Sequence, residues 1–157
     1  MSEPFRLLLP AQFVEEMFAQ AKSELPNECC GVLAGTVAPD GTARVQRRYR
    51  LTNVAASPVA YEADGKDMFA VVRELRELDM DILAFYHSHP TSPPVPSKTD
   101  REKSYWSGVV YFIISLQDDT PRLEGWWITP DSATKASWAV AGDGPSNDTV
   151  ASPAMPG

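Results

Sequence analysis

Residues 87–100 read HSHPTSPPVPSKTD: two histidines two apart, four prolines, a serine, and an aspartate three residues further on. Few segments constrain a fold more. Side chains at i and i+2 of a strand share a face, so His87 and His89 converge on one point only if the chain reaches them as a strand. The apolar run ILAFY at 82–86 supplies that strand. The prolines from Pro90 to Pro96 forbid its continuation and stiffen the loop that follows. S-x-x-D at Ser97 and Asp100 is a helix-capping pattern. A strand, a rigid turn and a helix start are thus prescribed within one short stretch.

A lone histidine on a strand is usually a packing or surface residue, and Ser97 and Asp100 have a purely local use as a cap. Two histidines at i, i+2 have no such local use, and they account for the chain's 2 His. A paired imidazole face beside a loop is a metal-binding arrangement. Catalytic zinc takes three protein ligands and leaves the fourth position to water. His87, His89 and Asp100 make three, and a nitrogen and oxygen set without thiolate suits a catalytic rather than a structural site. Asp100 would sit in the first turn of its helix, where the dipole favours an ionised carboxylate. Hydrolysis also needs a base, and the segment holds no spare acid. Upstream, NECCGVLAG at 27–35 presents Glu28 just before an apolar strand; from the residues alone it could equally be an exposed residue at a strand start.

Taken together these residues resemble the JAMM metalloproteases, or MPN-plus domains, whose pattern is an upstream glutamate, H-x-H, seven residues, S, two residues, D. The resemblance extends over about residues 5–140 and includes the NVAASP segment at 53–58. It implies His87, His89 and Asp100 as ligands of Zn2+, Glu28 as general base, and Ser97 as the hydroxyl that stabilises the oxyanion. It implies an α/β (α+β layered) fold, a mixed, mainly antiparallel central sheet flanked by helices, with an architecture like that of cytidine deaminases. It also implies a substrate that is a ubiquitin-like or sulfur-carrier protein with a Gly-Gly C-terminus, cleaved at a peptide or isopeptide bond. The leaving amine is a lysine side chain in deubiquitinase-like members and a cysteine or other small amine in some bacterial ones. An MPN-type scaffold that retains zinc without chemistry is the alternative; a zinc deaminase would need H-x-E with P-C-x-x-C, which the sequence lacks.

The rest of the chain is consistent with one such domain. The 157 residues suffice for a single core, placed at 1–140, with 141–157 as a flexible tail poor in large apolar residues. No apolar run is long enough to span a bilayer, and MSEPFRLLLPAQF lacks the marks of a signal peptide, so a cytoplasmic location is expected. A net charge of −7 disfavours nucleic acid as a partner. The basic run RVQRRYR at 44–50 alternates like the solvent face of a strand, though it could meet an acidic substrate. Cys29 and Cys30 are adjacent, which disfavours a disulfide between them. A thiol nucleophile is the rival mechanism, but on a strand the two would face opposite ways and fill core.

Periodicity predicts strands at 5–9, 29–36, 43–52, 81–89, 109–117 and 122–129, with an edge strand at 135–140. Helices are predicted over 11–25, with Phe13, Met17, Ala21 and Leu25 on one stripe, over 65–79, and from Ser97 to about Trp106. In the second helix Met68, Val71, Val72, Leu75 and Leu78 form the apolar stripe, while Arg73, Glu74, Arg76 and Glu77 face water. Asp40-Gly41 marks a turn between the second and third strands.

Overall fold

The computed structural model describes residues 4–141; the tail expected at 141–157 therefore lies outside it from residue 142 on. In chain order the elements are β1 (Arg6–Leu9), α1 (Ala11–Ser23), β2 (Cys30–Val37), β3 (Thr42–Leu51), α2 (Gly65–Leu78), β4 (Asp81–His89), α3 (Lys98–Glu102), β5 (Val110–Ser115), β6 (Arg122–Thr129), β7 (Ser132–Lys135) and β8 (Trp138–Val140). The strands form one sheet in the order β7-β6-β5-β4-β2-β3-β1-β8. Neighbours are antiparallel except β4 with β5 and β1 with β3 and β8, so the sheet is mixed and mainly antiparallel, as expected. β7 and β8 stand at opposite ends of that order, yet only residues 136 and 137 separate them. The three steps from Lys135 to Trp138 span at most about 11 Å, so the sheet curls until its edges nearly meet.

Alternation of side chains across the sheet splits the core in two. Leu33, Ala84, Tyr86, Phe112 and Ile114 pack with Phe13, Met17 and Ala21 of α1. Val32, Ala34, Tyr49, Phe85 and Tyr111 pack with Val71 and Leu75 of α2. β4 lies in the middle, buried from Leu83 to His89, which is why its sequence reads as a continuous apolar run rather than an alternating one. Cys29 and Cys30 are both buried and fall in opposite clusters, as adjacent strand residues must. At the β2–β3 turn Asp40 Oδ1 accepts the Thr42 N–H at 2.9 Å, and Gly41 takes φ 86°.

Several boundaries differ from the sequence reading. α1 stops at Ser23 ahead of Leu25-Pro26, because a residue before proline is driven out of the helical region; Leu25 is exposed. In its place Gln20 turns inward, its amide donating to Cys30 O at 3.0 Å. α3 is one short turn that ends at Glu102, closed by the Ser104 hydroxyl on Arg101 O, so Tyr105 and Trp106 lie beyond it. In α2 Leu78 is exposed, and Glu74 accepts a hydrogen bond from the Tyr49 hydroxyl instead of facing only water. The single edge strand at 135–140 is two strands, β7 on β6 and β8 on β1. Arg48 does not belong to a solvent face: it is largely buried, and its guanidinium contacts Glu16 at 3.0 Å, Gln20 at 2.9 Å and the Tyr86 hydroxyl at 2.8 Å.

Candidate metal and catalytic centre

β4 delivers the histidines and β2 delivers the glutamate. The antiparallel register pairs Cys30 with His87, and continuing it by two residues sets Glu28 opposite His89. The two strands are locked between these positions, since Cys29 N–H donates to Ser88 Oγ at 2.8 Å and Ser88 N–H to Cys29 O at 3.1 Å. Ser88 thus points to the opposite face from its neighbours and holds the strand that carries Glu28.

The proline loop returns the chain to the histidines and is fastened on three sides. Ser115 Oγ donates to Ser92 O at 2.6 Å, Trp126 Nε1 to Pro94 O at 3.0 Å, and His89 Nδ1 lies 2.8 Å from Pro93 O. A carbonyl can only accept, so His89 carries a proton on Nδ1, which leaves Nε2 as the nitrogen that faces Asp100 and His87. Ser97 then caps α3: its Oγ accepts the Asp100 N–H at 3.0 Å, and its own N–H donates to Asp100 Oδ2 at 2.9 Å. This reciprocal capping box orients the Asp100 carboxylate.

The result is convergence. His87 Nε2 and His89 Nε2 lie 3.2 Å apart, with Asp100 Oδ1 3.1 Å from the first and Asp100 Oδ2 3.0 Å from the second. The ligand atoms of His87, His89 and Asp100 all fall within 4.8 Å of one another, a group able to hold a metal ion. Both histidines and Glu28 are at most 4% exposed. Tyr61 stacks on His87 with ring centroids 4.7 Å apart, and the same tyrosine lines a cleft of about 430 Å³ with Met68, Phe85, Trp106 and Tyr111.

The electrostatics follow from burial and proximity. Burial pushes the Glu28 carboxyl up to about 8; the nearby His89 charge opposes this and the Asp100 charge adds to it. Burial would also raise Asp100, but the charge and hydrogen bond of His87, with bonds from His89 and the Ser97 N–H, hold it well below the usual carboxylate range. His89 is raised, because burial, which lowers it, is outweighed by its bonds to Asp100 and Pro93 O. Glu28 Oε1 and His87 Nδ1 are buried and have no hydrogen-bond partner among the described residues. A buried, unpaired carboxylate oxygen beside clustered ligands is costly in isolation and fits a group that meets a ligand or a water there. Burial pushes Cys29 up to about 12 and Cys30 higher still, so both are neutral thiols and neither is a nucleophile.

All five residues singled out in the sequence are accounted for. His87, His89 and Asp100 meet directly, Ser97 holds Asp100, and Glu28 stands two residues ahead of the adjoining strand. Tyr61 and Asn53 shape the site from the β3–α2 connection and are not among those five. The NVAASP segment contains Asn53, but nothing in local periodicity marks either residue.

A family model described as prokaryotic homologues of the JAB domain matches residues 10–129, the stretch that holds every one of these side chains. A desampylase of Haloferax volcanii is 42% identical over 116 residues, covering 70% of this chain and 81% of the relative. A CysO-cysteine peptidase of Mycobacterium tuberculosis is 34% identical over 112 residues, covering 71% and 75%. The solution structure of a Desulfitobacterium hafniense protein superimposes with TM-score 0.80 at 29% identity, over 90% of this chain and 97% of that one. On sequence, on fold and on the pattern of site residues, the chain belongs to the prokaryotic JAB-domain family, as a small member of the JAMM type its motif resembles.

Proposed function

We propose that this protein is a zinc metallopeptidase of the JAMM type that hydrolyses the bond after the C-terminal Gly-Gly of a ubiquitin-like or sulfur-carrier protein. One observation carries the reading: a cluster of two imidazoles and a carboxylate, beside a buried glutamate oxygen with no partner among the described residues. The names of the relatives support the substrate class: a desampylase, a CysO-cysteine peptidase, and a probable TtuB-protein conjugate cleaving protease of Thermus thermophilus, 35% identical over 101 residues. The working unit is residues 1–140 as one domain.

His87, His89 and Asp100 would hold the zinc through Nε2, Nε2 and the carboxylate. Bound there, zinc supplies a Lewis acid that lowers the pKa of a water to about 7 and polarises a carbonyl. His89 keeps its ligand nitrogen aimed inward by donating Nδ1–H to Pro93 O. Asp100, with its pKa depressed, stays ionised throughout the working range. Glu28 takes the water's proton on its unpartnered Oε1 as attack on the amide carbonyl begins, and returns it to the leaving amine. Burial raises this carboxyl to about 8 in the metal-free cluster, and a cation held by the neighbouring ligands would favour the anion that accepts the proton. The Ser97 oxygen already accepts the Asp100 N–H, which leaves its hydroxyl proton free to donate to the oxyanion. The cleft lined by Tyr61 gives an extended tail a place beside the cluster.

The test is incubation of the zinc-loaded protein with a ubiquitin-like carrier whose Gly-Gly end is joined either to a lysine side chain or to cysteine, followed by mass spectrometry. Wild type should cleave at least one and carry about one zinc per chain. Glu28→Gln should keep its zinc and lose activity by about 10²–10⁴-fold, whereas His89→Ala should lose the metal. Wild type that binds no zinc, or Glu28→Gln as active as wild type, would overturn the reading. A scaffold that keeps zinc without chemistry would leave both conjugates intact.

A further inference from the structure

The segment between β3 and α2, residues 52–64, has no regular structure beyond one isolated bridge between Asn53 and Ala63. Holding such a loop in one shape costs conformational entropy, so something must fix it. Asn53 is buried at 9% exposure. Its Nδ2 donates to Glu28 O at 3.0 Å and to Ala60 O at 3.2 Å, and its Oδ1 accepts from Ala55 N–H at 3.0 Å and Glu62 N–H at 2.9 Å. A side-chain amide has two donors and two lone pairs, and Asn53 uses all four.

Those four bonds join two parts of the site. Both main-chain groups of Glu28 are tied to this loop, the C=O to Asn53 and the N–H to Ser57 O at 2.9 Å. The bonds to Ala60 and Glu62 bracket Tyr61, the ring stacked on His87. We propose that Asn53 is a positioning residue of this centre: it clamps the backbone of Glu28 to the loop that holds Tyr61 against His87, and so sets the base and one ligand ring relative to each other. The inference rests on the reading of Glu28 as general base. Asn53 contacts neither a metal ligand side chain nor the reacting atoms, so it acts on rate through geometry, where a displacement of about 1 Å can cost about 100-fold.

Asn53→Asp separates the two halves of the clamp, since a carboxylate keeps the acceptor for Ala55 and Glu62 but sets oxygen against the carbonyls of Glu28 and Ala60. In the zinc-loaded protein, acting on the carrier conjugate it cleaves, this variant should keep its zinc, and kcat should fall by about 100-fold with KM little changed. Because the chain has 2 His, proton NMR of the imidazoles gives a readout independent of activity. The His87 ring protons should lose the ring-current displacement imposed by Tyr61, and the Glu28 amide should exchange faster while amides of β5 remain protected. Asn53→Asp with wild-type kcat and unmoved His87 resonances would overturn the proposal, as would loss of protection throughout β5, which would make Asn53 a residue of the fold at large. Glu28→Gln run in parallel separates the two failures. If it is active, the base assignment is wrong; if it is inert while Asn53→Asp is fully active, only the Asn53 proposal fails.

Discussion

At the scale of single residues, Glu28 carries the most distinctive energetics. Its carboxyl titrates at about 8 in the folded protein against an ordinary 4.5, because burial disfavours the anion. Between those values the folded state holds a proton that the unfolded state has released, so stability falls as pH rises from about 4.5 to 8. In metal-free protein, wild type should lose on the order of 4 kcal/mol relative to Glu28→Gln across that window. Denaturant midpoints of the two proteins measured over the pH range check this; parallel curves would mean that Glu28 is not strained by burial. That His87, His89 and Asp100 converge was legible in the sequence, because an i, i+2 pair on a strand shares a face and a capping pattern follows it. That Glu28 is buried was not, since its neighbours in sequence, Asn27 and Cys29, leave both outcomes open and only the pairing of β2 with β4 decides.

At the scale of elements, α3 is defined by its cap rather than its length. Ser97 closes the box on Asp100, but no apolar stripe follows, so one turn forms where the sequence suggested about ten residues. The proposed mechanism gives Ser97 a second use as an oxyanion donor, and glycine separates the two. Replacing an N-cap serine by glycine costs a few tenths of a kcal/mol, by alanine about 1 kcal/mol. Ser97→Gly should therefore retain near-wild-type stability and zinc while losing about 10²–10³-fold in kcat; a mere cap would show the reverse, with calorimetry and steady-state kinetics as the paired measurements. In β2, a Cβ at Gly35 would lie 1.8 Å from the Arg44 carbonyl oxygen, at the bulge that shifts the β2–β3 register. Backbone cannot swing aside as a side chain does, so Gly35→Ala should lower stability by about 3 kcal/mol or more, read as a drop in thermal midpoint. The strands β1 to β6 and the helix α2 were legible from their hydrophobic patterns. The end of α1 was misread because the apolar spacing continues to Leu25, whereas the proline at 26 ends the helix first.

At the scale of the whole molecule, the site sits where α3 and the proline loop close over the ends of β2 and β4, and a metal there would tie together segments distant in sequence. Zinc bound to the folded state alone adds about 4 kcal/mol at a free concentration a thousand times its dissociation constant. Stripping it with a chelator should lower the melting temperature by about 10 °C, and adding zinc back should restore it. His89→Ala should show the low value with or without zinc. No helix among the described residues is long and apolar enough to cross a membrane.

The sequence alone determined which residues cluster as candidate ligands, the strand that carries the two histidines and the class of fold, because strand periodicity and capping are short-range rules written in consecutive residues. Tertiary structure decided what depends on residues meeting across the sheet. The curl of the sheet turned one edge strand into two, the register of β2 on β4 buried Glu28 beside the histidines, and the β3–α2 loop brought Asn53 to Glu28 and Tyr61 to His87. These contacts join segments tens of residues apart, and no local pattern encodes which buried amide will face which carbonyl.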